Sequence, residues 1–257
     1  MSIDVVDLRS FYAHQLGVVA RRFVGRSIRG RWTDTRALRV LGVGYPTPYL
    51  GLFREEAERC LAFMPGTQGV VKWPSARPAL TALVDESEMP LPDSAVDLVL
   101  LVHALEMSQD PTQLLREVWR VLSAGGKLLA VVPNRRGVWA RMDTTPFGHG
   151  RPYSRSQIIQ LLRETWFTPV GWDEALYVPP IGRKWFLRSA RAWERAGATI
   201  SAPFAGVHIV EATKQVYRAI PAKRGPADRI LSLRVAGRRA GRLVRRAPCA
   251  AHFQQCL

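Results

Sequence analysis

Two polar residues that are capable of chemistry come directly after apolar stretches of the sequence. His103 follows the apolar run 96–102, and Asp85 follows the shorter run 80–84. An imidazole can orient a substrate or accept a proton, and a carboxylate accepts hydrogen bonds from hydroxyl and amino groups. A histidine at a strand end is also a common structural residue, and an acid after a strand is a common solvated loop residue. Each residue therefore defines a candidate polar site that has a structural alternative.

A third candidate site is the turn that follows the apolar run 36–44. Gly42 and Gly44 form a short G-x-G pattern, and glycines let a backbone approach a ligand closely while offering N–H donors. Pro46 and Pro48 come next, and proline has a fixed φ and no N–H. We therefore expect a tight turn that is poor in donors, although any strand-to-helix turn can carry this pattern.

The connection 134–153 is long and rich in glycine, arginine and aromatic residues. Connections of this length are usually functional or flexible, and cations with stacking rings suit an anionic or aromatic substrate. The alternative is a packed surface loop whose Trp139 and Phe147 fill the core. The candidate substrate contacts in this loop are Arg135, Arg136, Arg141, His149, Arg151 and Tyr153.

The elements that must position these residues alternate between strands and helices. The run 96–102 is continuously apolar, as in a central parallel strand that is buried on both faces. Asp110 can cap the next helix, and Pro111 suits its first position. Gly125 and Gly126 are expected to end that helix before another apolar strand. This strand–helix–strand order predicts a βαβ unit within a mostly parallel sheet.

Further elements follow from periodicity and capping patterns. Apolar residues at helical spacing predict one amphipathic helix over 7–24. Ser154, followed by Gln157 three residues later, predicts a capping box at the start of another helix. Short apolar runs predict additional strands at 59–64 and 207–212.

The charge of the chain is unusual, because its 257 residues carry a net +16. Such an excess favours anionic partners, either nucleic acid or an acidic membrane surface. From residue 221 onward, nine basic residues face one acid, so half of the excess lies in this tail. The tail could form an amphipathic helix on acidic lipid or along phosphates, or it could be a solvated, flexible extension.

Cysteine usage and apolar run lengths exclude several classes of protein. The three cysteines form no C-x-x-C pair and have no accompanying histidine cluster, so we expect neither a disulfide framework nor a metal site. The N-terminus is polar and acidic, unlike a signal peptide. No apolar run approaches the roughly 18 residues that span a bilayer. The cytoplasm is the expected location.

Residues 83–132 contain a specific series of short motifs. Its pieces are Met89-Pro90-Leu91-Pro92-Asp93, Val96-Asp97, Asp110-Pro111, 114–117 and 120–126. In this order they resemble the central stretch of class I S-adenosylmethionine-dependent methyltransferases of the type 11 group, with a weaker likeness from about Arg39 to about Gln215. The resemblance implies an α/β fold: a Rossmann-like, doubly wound, mostly parallel seven-stranded sheet with helices on both faces. This domain would span 36–220, after an N-terminal helix and lead-in at 1–35 and before the tail 221–257.

The resemblance also implies S-adenosylmethionine as cofactor, held at the carboxyl edge of the sheet. Asp85, with Glu86 beside it, stands where the family's acidic residue hydrogen-bonds the adenine amino group. His103 stands at the tip of the fourth strand, which faces the methyl group in this fold, and it is the candidate catalytic residue. The implied cofactor contacts are Gly42, Gly44, Tyr45, Asp85, Glu86 and His103.

The chain departs from the family pattern in two places. In the glycine loop, Gly42 replaces the usual acid, and Pro46 and Pro48 replace two later glycines. The second strand ends at Phe63-Met64-Pro65, where no acid is present to hold the ribose hydroxyls. The glycine loop is therefore degenerate, and both departures remove contacts that the cofactor usually receives.

Two functions follow from this combination of residues. The leading one is methyl transfer from S-adenosylmethionine to an unidentified small or lipophilic acceptor. The alternative is a catalytically silent, methyltransferase-like protein that serves as a protein-binding or regulatory partner. An open cleft beside Gly44 and Asp85 would favour the enzyme, whereas a cleft filled by bulky side chains would favour the binding protein.

Overall fold

The computed structural model of the protein describes residues 3–182, 189–190, 192–195 and 204–216. The chain up to Val216 forms one compact unit. The predicted basic tail, 221–257, lies outside the described residues, as do parts of the predicted domain beyond residue 182. No helix within the described ranges is both long and apolar enough to cross a membrane.

A single sheet forms the centre of the described part of the chain. Its strands are β1 Arg39–Gly44, β2 Arg59–Pro65, β3 Thr81–Val84, β4 Val96–Val102, β5 Leu122–Pro133, β6 Phe167–Ala175 and β7 Val207–Lys214. The seven strands lie in the order β3-β2-β1-β4-β5-β7-β6. The neighbouring pairs β3–β2, β2–β1, β1–β4 and β4–β5 are parallel, whereas β7 is antiparallel to both β5 and β6. The predicted mostly parallel, Rossmann-like α/β sheet is confirmed.

Helices cover both faces of this sheet, as predicted. They are α1 Val5–Ala13, α2 Gln15–Arg31 and α3 Thr47–Leu50 on one face, and α4 Pro111–Val121 and α5 Arg155–Glu164 on the other. In β4, Leu98 and Leu100 pack into the core of the first face, whereas Val99 and Leu101 pack into that of the second. Because successive strand side chains point to opposite faces, a strand covered on both sides needs a continuous apolar run.

The single helix predicted over 7–24 is wrong, because the structure divides this segment at His14. His14 has an extended backbone (φ −80, ψ 161) and lies between α1 and α2. An added Cβ on Gly17 would lie 2.0 Å from the carbonyl oxygen of Phe11. Only glycine at this position therefore lets α2 begin so close to the end of α1. Both helices keep the apolar spacing from which a single helix was predicted.

The predicted end of α4 at Gly125 and Gly126 is also wrong. The helix ends at Val121, and Leu122 already pairs with Val96 in the sheet. The register shifts directly after this pair, and Gly125 has a φ of +75. The glycines therefore permit an irregularity inside β5, because tertiary pairing of Leu122 ends the helix earlier than the local sequence suggests.

Asp97 ties three strands together at the amino edge of the parallel strands. Its carboxylate accepts hydrogen bonds from the backbone N, Nε and Nη2 of Arg39, each at 3.0 Å, and from Oγ of Ser123 at 3.0 Å. The hydrogen bonds from Arg39 hold the pKa of Asp97 below its ordinary value of 3.8. The carboxylate is therefore more stable when ionised in the folded protein than in the unfolded chain.

Replacing Asp97 by asparagine should lower the free energy of unfolding at pH 7 by about 1–3 kcal/mol, since charge-assisted bonds become neutral ones. Because the folded pKa is depressed, this stabilisation is present above pH 3.8 and is lost as the pH falls through the lower folded value. Urea unfolding of both proteins from pH 7 to pH 3 should show the difference shrinking. Asp93→Asn is the matched control, because Asp93 pairs with Arg120 at the surface and its side chain is 78% exposed. A constant difference between the Asp97 variant and the parent across this range would contradict the assignment.

Candidate functional site

The turn after β1 is pressed against the tip of β4. Gly44 has a φ of +90, and the backbone N–H of Tyr45 donates to the carbonyl oxygen of Val102 at 2.7 Å. An added Cβ on Gly42 would lie 2.5 Å from Cβ and Cγ of Pro46. Gly42 therefore leaves the space that Pro46 occupies, and Gly44 permits the close contact with β4, so the degenerate loop has a defined backbone path.

A buried polar network lies at the tip of β4. His103 is fully buried and has a φ of +50. Its Nε2 lies 2.9 Å from the hydroxyl of Tyr12, and its Nδ1 lies 3.2 Å from Oε1 of Glu106. Its carbonyl oxygen accepts a hydrogen bond from Nε2 of Gln68 at 2.5 Å. An ionised Glu106 would hold the proton on Nδ1 and leave Nε2 as an acceptor.

Aromatic side chains fill the space around this network. Tyr12, on α1, stacks on Tyr45 with ring centroids 5.8 Å apart, and its hydroxyl lies 3.2 Å from that of Tyr49. The ring of Phe147 lies 4.9 Å from that of His103. Burial holds the pKa of Tyr12 well above its ordinary value, so its hydroxyl stays protonated. The region beside Gly44 is therefore occupied by side chains of the chain itself.

The two acids after β3 have different environments. Asp85 is exposed and accepts hydrogen bonds from the backbone N of Ser87 at 2.8 Å and from its hydroxyl at 2.6 Å, which lower the pKa of Asp85. Glu86 accepts a hydrogen bond from the hydroxyl of Ser108 at 2.5 Å. Burial raises the pKa of Glu86. Asp85 is thus a carboxylate available at the surface, and Glu86 is partly desolvated.

A groove of about 590 Å³ runs past these acids at the carboxyl edge of the parallel strands. It is lined by residues at and after the ends of β2 and β3 and around the start of α4: Pro65, Gly66, Thr67, Leu83, Val84, Asp85, Glu86, Ser87, Gln109, Asp110 and Gln113. Open α/β sheets bind ligands at this edge. The lining residue Thr67 directly precedes Gln68, the residue that contacts the backbone of His103.

The predicted site residues therefore divide into two groups. Asp85 and Glu86 line the open groove, whereas Gly44, Tyr45 and His103 belong to the closed, aromatic part. Gly42 lies close to Pro46 and is not among the residues that line the groove. The sequence interpretation missed Tyr12 and Gln68, because both reach His103 from distant parts of the chain; the one available signal was a hydroxyl-bearing ring on the apolar side of the first helix.

The loop 134–153 is packed, and its Trp139 and Phe147 are buried. The backbone N of Arg151 donates to the carbonyl oxygen of Glu106 at 2.8 Å, and the hydroxyl of Tyr153 donates to that of Leu105 at 3.1 Å. These bonds hold the loop against the tip of β4. The remaining predicted contacts come earlier in the loop: Arg135, Arg136 and Arg141 are exposed, and Nε2 of His149 lies 2.9 Å from the carbonyl oxygen of Asp143.

Comparison with known proteins shows similarity to methyltransferases over the middle of the chain. Residues 41–130 match the model of a family described as a methyltransferase domain. A probable S-adenosylmethionine-dependent methyltransferase of Mycolicibacterium smegmatis is 36% identical over 83 residues, which are 32% of each chain. A second, from Mycobacterium tuberculosis, is 35% identical over 86 residues, or 33% of this chain and 31% of that protein. The match thus spans about a third of the length of these curated relatives.

Solved structures share the fold over more of the chain. An S-adenosylmethionine-dependent methyltransferase from Archaeoglobus fulgidus has a TM-score of 0.56 at 17% identity, covering 74% of this chain and 93% of its own. The [4+2]-cyclase SpnF has a TM-score of 0.52 at 19% identity, covering 77% and 82%. Over residues 41–130 and in its fold, the chain is therefore similar to S-adenosylmethionine-dependent methyltransferases.

Proposed function

We propose that this chain binds S-adenosylmethionine at the carboxyl edge of its sheet and transfers the methyl group to a small or lipophilic acceptor. The observation that carries the proposal is the groove of about 590 Å³ beside Asp85 and Glu86. It lies where open α/β sheets bind nucleotides, within a segment that matches methyltransferase domains.

The open groove suits the adenosine part of the cofactor. The exposed carboxylate of Asp85 can accept a hydrogen bond from the adenine amino group, and the apolar Leu83 and Val84 can contact the ring. The end of β2 offers the hydroxyl of Thr67 in place of a ribose-binding acid. Bound cofactor would supply an electrophilic methyl group on a sulfonium, while the residues of the chain supply position and hydrogen bonds.

The amino-acid part of the cofactor and the acceptor need the space that Tyr12 occupies. We propose that α1 moves aside when ligands bind, which exposes Nε2 of His103. That nitrogen, with Nδ1 held by Glu106, then accepts the proton of the acceptor's nucleophilic atom as this atom takes the methyl group. His103 is therefore the proposed catalytic residue, and Glu106 a positioning residue.

The acceptor contacts are proposed to come from the loop 134–153. Arg151 and Tyr153 are tied to the tip of β4, beside the buried network. Arg135, Arg141 and His149 would contact the acceptor only if it extends along the loop. A lipophilic acceptor with an anionic group would use both the aromatic rings and these cations.

Calorimetric titration with S-adenosylhomocysteine tests the cofactor proposal. We expect micromolar binding by the parent protein and at least about tenfold weaker binding by Asp85→Ala, since the adenine loses a charged hydrogen-bond partner. Glu58→Ala is the control, because Glu58 is exposed and precedes β2 at the opposite edge of the sheet. Equal affinities for all three proteins would show that Asp85 does not contact the ligand.

A further inference from the structure

Helix α2 carries an unusual concentration of positive charge. Its 17 residues contain Arg21, Arg22, Arg26, Arg29 and Arg31, and no acid. Arg29 pairs with Glu56, and Arg31 lies 4.0 Å from Asp173. Within the described part of the chain, the other three arginines make no ion pair, and all three are exposed. Their charge is therefore directed at solvent along one side of the helix.

These three arginines line a second groove, of about 570 Å³, between α2 and α3. Its lining also includes Val18, Pro48 and Leu52, and contains no acid. The side chains of Val18 and Leu52 are large, apolar and 43% and 41% exposed. The groove therefore combines a cationic rim with an apolar floor, and it is separate from the groove beside Asp85.

We infer that the α2–α3 groove docks the protein on an acidic phospholipid surface. Guanidinium groups bind phosphate oxygens in a bidentate manner, and arginine stems extend along apolar surface while the charged end reaches the headgroups. Val18 and Leu52 would contact the acyl boundary, as apolar side chains of interfacial helices do. The negative potential of an acidic leaflet attracts such a cluster over about a Debye length.

Single-stranded nucleic acid fits this groove less well. Binding of that kind combines cations with aromatic rings on which bases stack. The aromatic residue in the lining is Tyr49, which is fully buried and thus offers no stacking face. The combination of cations with exposed aliphatic side chains favours lipid.

Tyr49 connects this docking surface with the buried network around His103. Tyr49 lines the groove from inside, and its hydroxyl lies 3.2 Å from that of Tyr12, which contacts His103. A docked membrane would therefore lie across α3 from the buried network. Docking of the arginines and the α2–α3 groove on lipid does not depend on methyl transfer.

Vesicle co-sedimentation of the full chain tests the inference. The probes are phosphatidylcholine vesicles with and without about one third phosphatidylglycerol, and a short single-stranded RNA as competitor. Arg21→Glu/Arg22→Glu should weaken binding to the acidic vesicles at least about tenfold, because each reversed cation removes attraction to the surface. Arg116→Glu/Arg163→Glu is the matched control, since it changes the net charge equally on α4 and α5, on the opposite face of the sheet.

The control variant is expected to keep most of the vesicle binding. An equal loss in both double variants would overturn the inference, because net charge or another segment would then account for the binding. Loss of RNA binding by the α2 variant, with vesicle binding unchanged, would overturn it as well. Val18→Ser/Leu52→Ser, which leaves every charge in place, should weaken the binding that persists at high salt, whereas Val170→Ser, an exposed valine on β6, should not.

Discussion

Replacing Gly44 by alanine is expected to lower the free energy of unfolding by at least about 2 kcal/mol. The backbone of Gly44 has a φ of +90, which side-chain-bearing residues rarely adopt. An added Cβ would also lie 2.2 Å from the carbonyl oxygen of Val102 and 2.9 Å from Cβ of Ala104. The carbonyl group of Val102 cannot move freely, because β4 is paired on both sides, and Ala104 is buried. Urea unfolding followed by circular dichroism measures the loss.

Gly51→Ala provides a matched control for this prediction. Gly51 ends α3 with a helical backbone (φ −58, ψ −20), and nothing lies within 4 Å of an added Cβ. We expect the free energy of unfolding to stay unchanged or to rise by up to about 1 kcal/mol, since alanine lowers the conformational entropy of the unfolded chain. Similar losses at both positions would show that the close approach of β1 to β4 is not what requires glycine at 44.

Replacing Tyr12 by alanine is expected to tighten binding of S-adenosylhomocysteine by at least about tenfold. The parent protein must move a buried ring away from His103 before the ligand can occupy this region, and the work of that displacement reduces the apparent affinity. The alanine variant leaves the space open from the start. Calorimetric titration measures the change, at a temperature where circular dichroism shows the variant folded, because loss of a buried ring costs about 3 kcal/mol of stability or more.

Tyr12→Phe separates the ring from its hydroxyl. Phenylalanine still fills the space but no longer bonds His103, so we expect an affinity much closer to that of the parent than to that of the alanine variant. If neither the parent nor Tyr12→Ala binds the ligand at millimolar concentration, cofactor binding is excluded. The methyltransferase-like protein without catalysis, acting as a binding partner, would then be the better description.

Local signals in the sequence were sufficient for much of the fold. The carboxylate of Asp110 accepts from the backbone N of Thr112 at 3.0 Å and of Gln113 at 2.9 Å, as its position before Pro111 predicts. The capping box of Ser154 and Gln157 is present in both directions. These interactions join residues two or three apart, so spacing alone can reveal them.

Features that depend on distant contacts could not be predicted in the same way. The pair of Tyr12 and His103 joins positions 91 residues apart, and no spacing rule reports such a contact. The strand β6 was not predicted, because Pro169 and Gly171 interrupt its apolar pattern; both are tolerated in a strand that pairs on one side only. For the site, Asp85 and Glu86 were identified from the resemblance to the methyltransferase pattern, whereas the closure of the neighbouring region by α1 could be seen only in the structure.

The place of β7 in the sheet has a consequence for synthesis on the ribosome. This strand lies between β5 and β6, yet residues 207–214 are translated after both of them. Until they emerge, the nascent polypeptide has a long apolar strand with one open edge, which invites pairing with other chains. Of the seven described strands, the last to leave the exit tunnel is thus the one that closes this edge and joins β6 to the sheet, so the nascent polypeptide is prone to aggregation until that strand arrives.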